Sequence, residues 1–276
     1  MIEFTKMHGN GNDFLVINET QKTLVKKEDK PSFSIKYCDR RFGVGGDGIL
    51  FLQKTNEADF LMRLFNSDGS EADMCGNGIR CAAKYAKDND LVKDEDIEIK
   101  TGAGVLEVET RVDEEFWAKV DMGKPQFERK NIPVKGNGKF LKQDLEGYEI
   151  SAVNTGVPHS VVFVETLEEV NVEEEAPKIR HHDQFPNGIN VNFVEIYDED
   201  NIGVRTFERG VEAETLSCGT GSVASAAISR ELEKTKGREV FVETQGGDLR
   251  ILFEDNTAYM EGPAETVFEG KILDTI

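Results

Sequence analysis

Two cysteines of this chain stand in the same short context, Cys75-Gly76-Asn77-Gly78 and Cys218-Gly219-Thr220-Gly221. Each C-G-x-G tetrapeptide precedes an Ala-rich segment that is predicted to be helical. A glycine beside the cysteine lets backbone N–H groups approach an anion closely, and a helix N-terminus adds partial positive charge and donors. The same field favours the thiolate form of a cysteine. Each tetrapeptide therefore predicts a thiol that exchanges protons near neutral pH, beside a backbone nest that binds a carboxylate.

The flanks of the two tetrapeptides also match. The cysteines lie 143 residues apart in a chain of 276 residues. An Arg-x-Phe segment precedes each cysteine by 12 or 13 residues, and a Thr and a Gly follow each by 26 and 29: Arg63 to Phe65, Arg205 to Phe207, Thr101, Gly104, Thr244 and Gly247. Equal offsets indicate an internal repeat. We interpret the chain as two copies of one α+β unit: an N-terminal domain, 1–121, to which the segment 264–276 returns, and a C-terminal domain, 122–263.

Two copies related by an approximate two-fold axis would turn their cysteines toward each other across a cleft. A carbon held between the thiols could lose a proton to one and receive a proton from the other, which inverts a stereocentre. The α-carbon of an amino acid fits, because its carboxylate would occupy the helix-start nests. A positioned base supplies about 10²–10⁴ in rate, and each donor onto the developing charge adds about 10²–10³. We therefore expect both helix termini to be needed.

The elements that must position these groups are mostly strands. Alternating or apolar segments predict strands at 13–17, 48–52, 60–65, 97–99, 105–108, 117–121, 160–164, 191–196, 203–207, 240–243 and 249–253. Helical patterns are fewer and lie at 31–41, 79–87, 167–175 and 221–233. Since strands outnumber helices without a regular βαβ alternation, an α+β fold is predicted.

The chain is strongly acidic, with 33 Lys and Arg against 53 Asp and Glu and a formal net charge of −20. This charge repels phosphate backbones and anionic lipid surfaces, so we expect no nucleic-acid or membrane partner. The longest apolar runs have four residues, far fewer than the ~20 of a membrane helix, and the first residues lack a signal-peptide pattern. Four cysteines do not make a disulfide framework in such a chain. We expect a cytoplasmic protein with free thiols.

Three segments carry a resemblance to a known family. Met7 to Phe14, Met74 to Cys81, and Glu208 to Gly221 closely resemble the signature motifs of the diaminopimelate epimerases, in order and over essentially the whole chain. The resemblance implies a small-molecule isomerase that needs no pyridoxal or other cofactor. Such an enzyme interconverts L,L- and meso-2,6-diaminoheptanedioate by a two-base thiol mechanism, in lysine and peptidoglycan precursor biosynthesis. It also implies a homodimer whose chains have two pseudo-symmetric domains, each a β-barrel-like sheet wrapped around a central helix.

The resemblance also implies roles for residues of this chain. Cys75 and Cys218 are the acid–base pair, with Cys218 the proton acceptor and Cys75 the donor for the L,L substrate; the roles swap in reverse. The residues that hold the reacting α-carboxylate are Gly76, Asn77, Gly219 and Thr220. Those that bind the distal end of the substrate are Asn12, Asn66, Asn190, Glu208 and Arg209. His159 and Glu208 flank the thiols and influence their protonation.

The chain departs from the family motifs at three places. Val157, in the segment Gly156 to His159, stands where the family commonly has Asn, which removes an amide that contacts the substrate. Gly48, after Asp47, stands where some members have Gln. The segment from Arg209 to Cys218 is one residue longer than the commonest form. These changes leave the chemistry intact but affect the distal end of the substrate, so another amino-acid racemase on the same scaffold is an alternative.

Other interpretations use the same residues. A non-catalytic amino-acid-binding or redox-sensing protein would hold a ligand in the same cleft without exchanging its α-proton. A zinc or disulfide-stapled module is disfavoured because the cysteines and histidines lack metal-ligand spacing, and no metal is expected. The G-x-G-x-x-G match from Gly43 to Gly48 precedes a strand instead of a helix, so it predicts a turn. Cys38 and Cys81 are interpreted as buried structural thiols.

Overall fold

The computed structural model describes residues 1–273, which divide into two compact units. Unit 1 comprises Met1–Val120 and the segment that begins at Gly262, and unit 2 comprises Asp121–Glu261. The last three residues of the predicted returning segment, 274–276, lie outside the described part of the chain. Strands dominate both units, and α-helices are interspersed among the strands along the chain. The predicted α+β class is therefore confirmed.

The elements are given in chain order. The first part of the chain forms β1 (Ile2–Gly9), β2 (Asn12–Glu19), α1 (Lys30–Cys38), β3 (Gly48–Gln53), β4 (Phe60–Asn66), β5 (Glu71–Ala72), α2 (Gly76–Asp88), β6 (Asp96–Thr101), β7 (Gly104–Val112) and β8 (Phe116–Asp121). The second part forms β9 (Gln143–Leu145), β10 (Tyr148–Asn154), β11 (Pro158–Phe163), α3 (Val172–Arg180), β12 (Asn190–Ile196), β13 (Asn201–Glu208), β14 (Ala213–Thr215), α4 (Gly219–Glu231), β15 (Glu239–Thr244), β16 (Gly247–Glu254) and β17 (Thr257–Pro263). The strand β18 (Glu265–Ile272) belongs to unit 1.

The sheet of unit 1 runs in the order β18-β1-β2-β3-β4-β6-β7-β8, with β5 also paired to β4. Among the strand pairs of this unit within residues 1–273, only β2–β3 and β4–β6 are parallel. Parallel neighbours need a crossover connection, and α1 and α2 lie in these two connections. The helix α2 contacts β1, β2, β3 and β4, and its apolar residues Ile79, Ala82, Ala83 and Ala86 are fully buried. The sheet therefore wraps around α2.

The sheet of unit 2 repeats this plan. Its order is β9-β10-β11-β12-β13-β15-β16-β17, with β14 paired to β13, and only β11–β12 and β13–β15 are parallel. The helices α3 and α4 lie in the crossovers. The helix α4 contacts strands across most of the sheet, from β10 to β16, so this sheet also wraps around a central helix.

The internal repeat of the sequence recurs in the details of both units. The helices α2 and α4 each have 13 residues, and each is preceded by a cysteine in extended conformation. In the hairpin after each helix, a threonine hydroxyl donates to a glycine carbonyl. The distances are 3.0 Å from Thr101 Oγ1 to Gly104 O and 2.6 Å from Thr244 Oγ1 to Gly247 O. Equivalent positions of the two halves thus have equivalent structural roles.

The strands of unit 2 bury apolar side chains on both faces. Val161 and Val194 pack in one cluster with the buried residues of α4, and Phe193 packs in another with those of α3. Residues two apart in a strand share a face. His159 and Asn192 therefore lie on the α4 face, next to Val161 and Val194.

The predicted helix at 167–175 is wrong in its position. Leu167–Glu169 forms only a 3-10 turn, and the helix α3 begins at Val172 and ends at Arg180. Its first turn carries Glu173 to Glu175 and its last turn carries Lys178 and Arg180, which is the arrangement that the helix dipole favours. The other three predicted helices and all predicted strands are present. None of the described helices is long and apolar enough to cross a membrane.

Candidate active site

The first half of the candidate site lies at the start of α2. Cys75 precedes the helix with φ −140° and ψ 124°, and its carbonyl accepts the first helical hydrogen bond from Ile79 N at 2.9 Å. The cysteine side chain does not cap the helix. Its Sγ instead lies 3.5 Å from Oδ1 of Asn12, the first residue of β2, and the thiol donates to this oxygen. Cys75 is half-buried.

The amide of Asn12 is held in one orientation by its neighbours. Its Nδ2 donates to Asp47 Oδ2 at 2.6 Å, and its Oδ1 accepts from Asn77 Nδ2 at 3.3 Å. The amide of Asn77 is itself fixed, because its Oδ1 accepts from Arg80 Nη2 at 2.5 Å and a guanidinium only donates. The face that Asn12 presents to Cys75 is therefore an oxygen.

Arg80 places a positive charge beneath the first turn of α2. Its side chain is fully buried and donates to Asn10 Oδ1 at 2.9 Å and to Gly76 O at 3.3 Å. Burial lowers the pKa of Arg80 to about 10. A thiolate or a bound carboxylate at the start of α2 would thus face both the helix dipole and this cation.

Asp47, which holds Asn12, is braced by a cluster of charged groups. Its Oδ1 accepts from Arg40 Nη2 at 2.8 Å, and its Oδ2 accepts from the backbone N–H of Asp13 at 3.0 Å. Arg40 also forms a two-pronged pair with the Asp13 carboxylate. Burial raises the pKa of Asp13, but hydrogen bonds from Arg40 and Lys6 hold it well below its usual range. The cluster gives Asn12 a rigid support.

The second half of the candidate site lies at the start of α4. Cys218 precedes the helix with φ −120° and ψ 109°, and its carbonyl accepts from Ser222 N at 2.9 Å. Its side chain does not cap the helix and is only 6% exposed. The Sγ lies 3.5 Å from Thr220 Oγ1, and that oxygen lies 2.9 Å from His159 Nε2. Thiol, hydroxyl and imidazole thus form one chain.

His159 is a neutral imidazole at physiological pH. Burial lowers its pKa to about 3, and the Arg209 cation lowers it further. Its side chain is completely buried. A neutral imidazole has one donor and one acceptor nitrogen, so its contacts with Thr220 and Asn192 must have opposite polarity.

Three of the predicted distal-end residues come together beside His159. Asn190 is the cross-strand partner of His159, and its Nδ2 donates to Pro158 O at 2.9 Å. Its Oδ1 accepts from the backbone N–H of Arg209 at 2.7 Å. Glu208 is the last residue of β13 and directly precedes Arg209. Asn190 thus ties β12 to the turn that carries Glu208 and Arg209, which are both predicted to bind the substrate.

The remaining predicted residue, Asn66, ends β4. Its Nδ2 donates to Ser70 Oγ at 3.0 Å, and its backbone is paired with Gly48 of β3. A Cβ at Gly48 would lie 2.8 Å from Phe65 O and 2.9 Å from Leu64 Cδ1. The close packing of β3 on β4 therefore leaves no room here for the glutamine of other family members.

The segment that carries Val157 is tied to α4. Gly156 takes a φ of +105°, and the N–H of Thr155 donates to Val157 O at 3.2 Å. The Thr155 hydroxyl donates to Thr220 O at 2.9 Å. The departure from the family motif at Val157 thus lies in a turn that contacts the first turn of the helix after Cys218.

Cys38 and Cys81, which were interpreted as structural thiols, are buried. All four cysteines are free, and burial raises the pKa values of Cys38 and Cys81 to about 12. The glycine-rich segment 43–48 is a turn that closes the end of α1, with Gly43 N donating to Asp39 O at 2.9 Å, and β3 follows it. Within residues 1–273, no three or more His, Cys, Asp or Glu side chains are arranged to hold a metal ion.

Sequence reasoning did not assign a role to the residues that orient the thiols' partners. Arg80 lies four positions after Gly76, and residues four apart share a helix face, so its reach to the first turn could have been inferred. Asn192 lies two positions after Asn190 in a strand, which puts both on one face. No sequence signal joins Asp47 to Asn12, because that contact depends on the pairing of β2 with β3.

The sequence comparisons with known proteins point to one family. The family model for diaminopimelate epimerase matches residues 4–128 and 151–267. The chain is 55% identical to the diaminopimelate epimerase of Methanothrix thermoacetophila, over 100% of this chain and 97% of that protein. It is also 55% identical to that of Methanocella arvoryzae, over 98% and 96%. Among solved structures, a PhzF-family phenazine biosynthesis protein from Bacillus anthracis has a TM-score of 0.74 at 21% identity, covering 99% of both chains, a likeness of fold alone.

Proposed function

The chain belongs to the diaminopimelate epimerase family, and on that premise we propose that it interconverts L,L- and meso-diaminopimelate by inverting one α-carbon. In this proposal Cys218 removes the α-proton of the L,L substrate and Cys75 delivers a proton to the opposite face. One observation carries the assignment: both units repeat a cysteine at the N-terminus of a buried, glycine-rich helix. A single such thiol would serve a binding protein, whereas inversion needs two.

The proton and electron balance of the reaction closes without a redox step. The Cys218 thiolate forms an S–H bond as the Cα–H bond breaks, and the electron pair stays on the α-carbon and its carboxylate. The α-carbon then takes the proton of the Cys75 thiol, which becomes a thiolate. The reverse reaction starts from this second protonation state, so each half of the site serves as base in one direction.

The α-carboxylate of the substrate is assigned to the two helix starts, at Gly76 and Asn77 and at Gly219 and Thr220. The first-turn N–H groups of a helix have no intrahelical acceptor, and neither cysteine side chain caps its helix. Donors in a buried site cost no reorganisation when charge develops on the carboxylate, and each contributes about 10²–10³ in rate.

The distal amino and carboxylate groups are assigned to Asn12, Asn66, Asn190, Glu208 and Arg209. Arg209 offers a planar fork that matches a carboxylate, and Glu208 beside it suits an ammonium group. His159 and Glu208 are also assigned an influence on thiol protonation. The contact of His159 with Thr220, next to Cys218, supports this for the imidazole.

The proposal includes a cytoplasmic homodimer. Four free thiols suit a reducing compartment, because disulfides persist in oxidising ones. Light scattering of the purified protein tests the dimer, which predicts twice the 30.8 kDa chain mass. A monomer mass at working concentrations would contradict it.

The deciding experiment follows α-proton exchange in D₂O. The reduced protein is incubated with L,L-diaminopimelate and no added cofactor, and NMR follows the α-proton signal and the L,L to meso ratio. We expect deuterium at one α-carbon as meso product forms. Exchange with other L-amino acids alone would indicate another racemase, and ligand binding without exchange would indicate a binding protein.

Variants of the two cysteines test their separate roles. In Cys218→Ser, the rate of α-proton exchange from the L,L substrate should fall by a factor of about 10²–10⁴, because the substitution removes the base. Cys75→Ser should slow inversion by the same factor but retain some exchange without inversion, because the base can return a deuteron to the same face. The matched control is Cys81→Ala, a buried thiol of α2, which should keep near-normal activity. Inversion that survives in both serine variants would contradict the assignment.

A further inference from the structure

The side chain of Asn192 has a single allowed orientation in the core of unit 2. It is completely buried on β12, directly opposite Thr206 on β13. Its Oδ1 accepts from Thr206 Oγ1 at 2.9 Å, and its Nδ2 donates to Ser160 O at 2.8 Å. Because a carbonyl oxygen only accepts, the nitrogen and oxygen of this amide cannot be exchanged.

The orientation of Asn192 decides which nitrogen of His159 carries the proton. The Nδ2 of Asn192 lies 3.1 Å from His159 Nδ1, and an amide nitrogen only donates, so Nδ1 is the acceptor. The neutral ring then has its proton on Nε2, 2.9 Å from Thr220 Oγ1. Since Thr220 accepts there, its own hydroxyl proton is available to Cys218 Sγ at 3.5 Å.

We propose that Asn192 is a positioning residue: it fixes the Nε2–H tautomer of His159, so that the Thr220 hydroxyl donates to Cys218 and stabilises its thiolate. A hydrogen bond to the charged form of a group favours that form. The proposal deepens the proposed function, in which Cys218 is the base for the L,L substrate, and it rests on that function. It assigns roles to Asn192 and Thr206, which act through His159 and Thr220.

The other half of the site has the opposite polarity. Cys75 faces the oxygen of Asn12, which Asp47 and Asn77 hold in place. An acceptor at this distance favours the protonated thiol, whereas the donor at Cys218 favours the thiolate. The two networks therefore differ in polarity, with an acceptor beside the Cys75 thiol and the proposed donor beside Cys218.

The tautomer of His159 is measured on full-length protein labelled with ¹⁵N-histidine. Two-bond ¹H–¹⁵N correlations distinguish the two neutral tautomers, and the spectrum of His159→Gln assigns the signals. We expect the Nε2–H pattern in the wild type. In Asn192→Asp, the carboxylate accepts from Nδ1–H, so the pattern should change to the Nδ1–H tautomer. An Nδ1–H pattern in the wild type would overturn the proposal whatever any variant does.

The state of Cys218 is read from its rate of alkylation by iodoacetamide, followed by mass spectrometry of its peptide. Loss of one hydrogen bond to a charged group should slow alkylation by about ten-fold, in Asn192→Asp and in Thr220→Val. Thr220→Ser keeps the hydroxyl and should restore the rate. Ser225→Ala removes another buried hydroxyl, the one that donates to Gly221 O, and should leave both the rate and the tautomer unchanged.

A double variant tests whether Asn192 acts on Cys218 through His159 and Thr220, or whether the carboxylate of Asn192→Asp acts on Cys218 directly through its charge. If Asn192 acts through Thr220, adding Asn192→Asp to Thr220→Val should slow alkylation no further, since coupled residues are non-additive. A further ten-fold loss would overturn the proposal. Failure of the proposed function is distinguishable, because the wild-type tautomer and alkylation rates do not depend on turnover of diaminopimelate.

Discussion

At the scale of single residues, burial and hydrogen bonding decide which groups can exchange protons. Burial raises the pKa values of the Cys38 and Cys81 thiols to about 12, so they stay protonated and unreactive near neutral pH. Cys218 is also buried, yet a hydroxyl lies beside its sulfur. The polar groups next to a cysteine thus distinguish the proposed catalytic thiol from the buried structural thiols better than its burial does.

The neutral imidazole of His159 predicts a specific pH dependence of stability. Its pKa is about 3 in the folded chain and about 6.5 when unfolded, so the unfolded state binds more protons between these values. The free energy of unfolding should therefore fall as the pH drops from about 6.5 toward 3. Urea unfolding of the wild type and His159→Gln measures this, and the variant should lose part of the slope.

The matched control for that measurement removes a surface imidazole. The side chain of His181 is 62% exposed, and His181→Gln should retain the pH dependence of the wild type. Equal slopes for His159→Gln and the wild type would mean that His159 accepts a proton in the folded state, contrary to its burial.

The sequence was sufficient to predict the two thiols but not the residues that orient their partners. Cys75 and Cys218 stand in a repeated motif whose chemistry can be argued from residue type and spacing. The contacts of Asn12 with Asp47 and of Asn192 with His159 join residues 35 and 33 positions apart. Such contacts depend on strand register and on which atom of an amide faces a neighbour, and neither has a local sequence signal.

At the scale of elements, the first turn of α4 packs against β12 with no space to spare. A Cβ at Gly221 would lie 2.5 Å from Asn192 Oδ1 and 3.1 Å from Thr206 Oγ1. The fourth position of the second C-G-x-G tetrapeptide, which is the third residue of α4, is therefore a glycine for packing, in addition to its effect at the helix N-terminus.

Gly221→Ala should destabilise the protein although alanine is the better helix former. Alanine gains up to about 1 kcal/mol in helix propensity, but overpacking of a buried contact costs about 1–3 kcal/mol. We expect a net loss of about 1–2 kcal/mol in urea unfolding, together with lower activity. The control is Ser229→Ala in the same helix, whose buried hydroxyl has no hydrogen-bond partner among the described residues; it should be neutral or stabilising. A Gly221→Ala protein as stable as Ser229→Ala would contradict the packing argument.

A buried ion pair anchors α1 to β2. Lys30 Nζ lies 2.6 Å from Glu19 Oε2, with both side chains at most 1% exposed. Lys30→Met leaves a buried carboxylate without its cation and should cost about 3–5 kcal/mol in urea unfolding. The exposed Lys27, one turn earlier, is the control, and Lys27→Met should change stability by less than about 0.5 kcal/mol. A loss below about 1 kcal/mol in Lys30→Met would mean that the Lys30–Glu19 pair contributes little to the free energy of unfolding.

The predictions of helices and strands were right where the buried residues of one element follow a helical or strand-like apolar pattern in the sequence. The helices at 79–87 and 221–233 and all eleven predicted strands have such patterns. Seven of the described strands were not predicted: β1, β5, β9, β10, β14, β17 and β18. β18 is exposed along most of its length and β1 buries consecutive residues on both faces, so neither alternates. Pairing between these two distant strands, rather than local pattern, determines both.

At the scale of the whole molecule, the fold is one plan used twice. Each unit has antiparallel strands, two parallel pairs, and a crossover helix enclosed by the sheet. The equal offsets around Cys75 and Cys218 were enough to predict this repeat. They could not predict the polar networks around the two thiols, because Asn12 and Asn192 are not part of the repeated motif.

The charge of the molecule leads to a prediction about salt. Diaminopimelate carries two ammonium and two carboxylate groups near neutral pH, so it has no net charge for the −20 chain to repel or attract. We expect kcat/KM to change by less than about two-fold between low salt and ~0.5 M salt. Pimelate, a dianion without the amino groups, is the matched probe, and its inhibition should strengthen as salt screens the repulsion. A ten-fold change in kcat/KM would contradict this.

The pairing of β1 with β18 also has a consequence for biosynthesis. The register runs from Ile2 opposite Ile272 to His8 opposite Glu265, so the first strand made is completed only by a strand about 260 residues later. At about 5–20 residues per second, the ribosome needs on the order of 10–50 s to supply that strand. Throughout this time one edge of β1 is open to other chains. We therefore expect the N-terminal half of the nascent chain to be prone to pairing with other chains until β18 has been made.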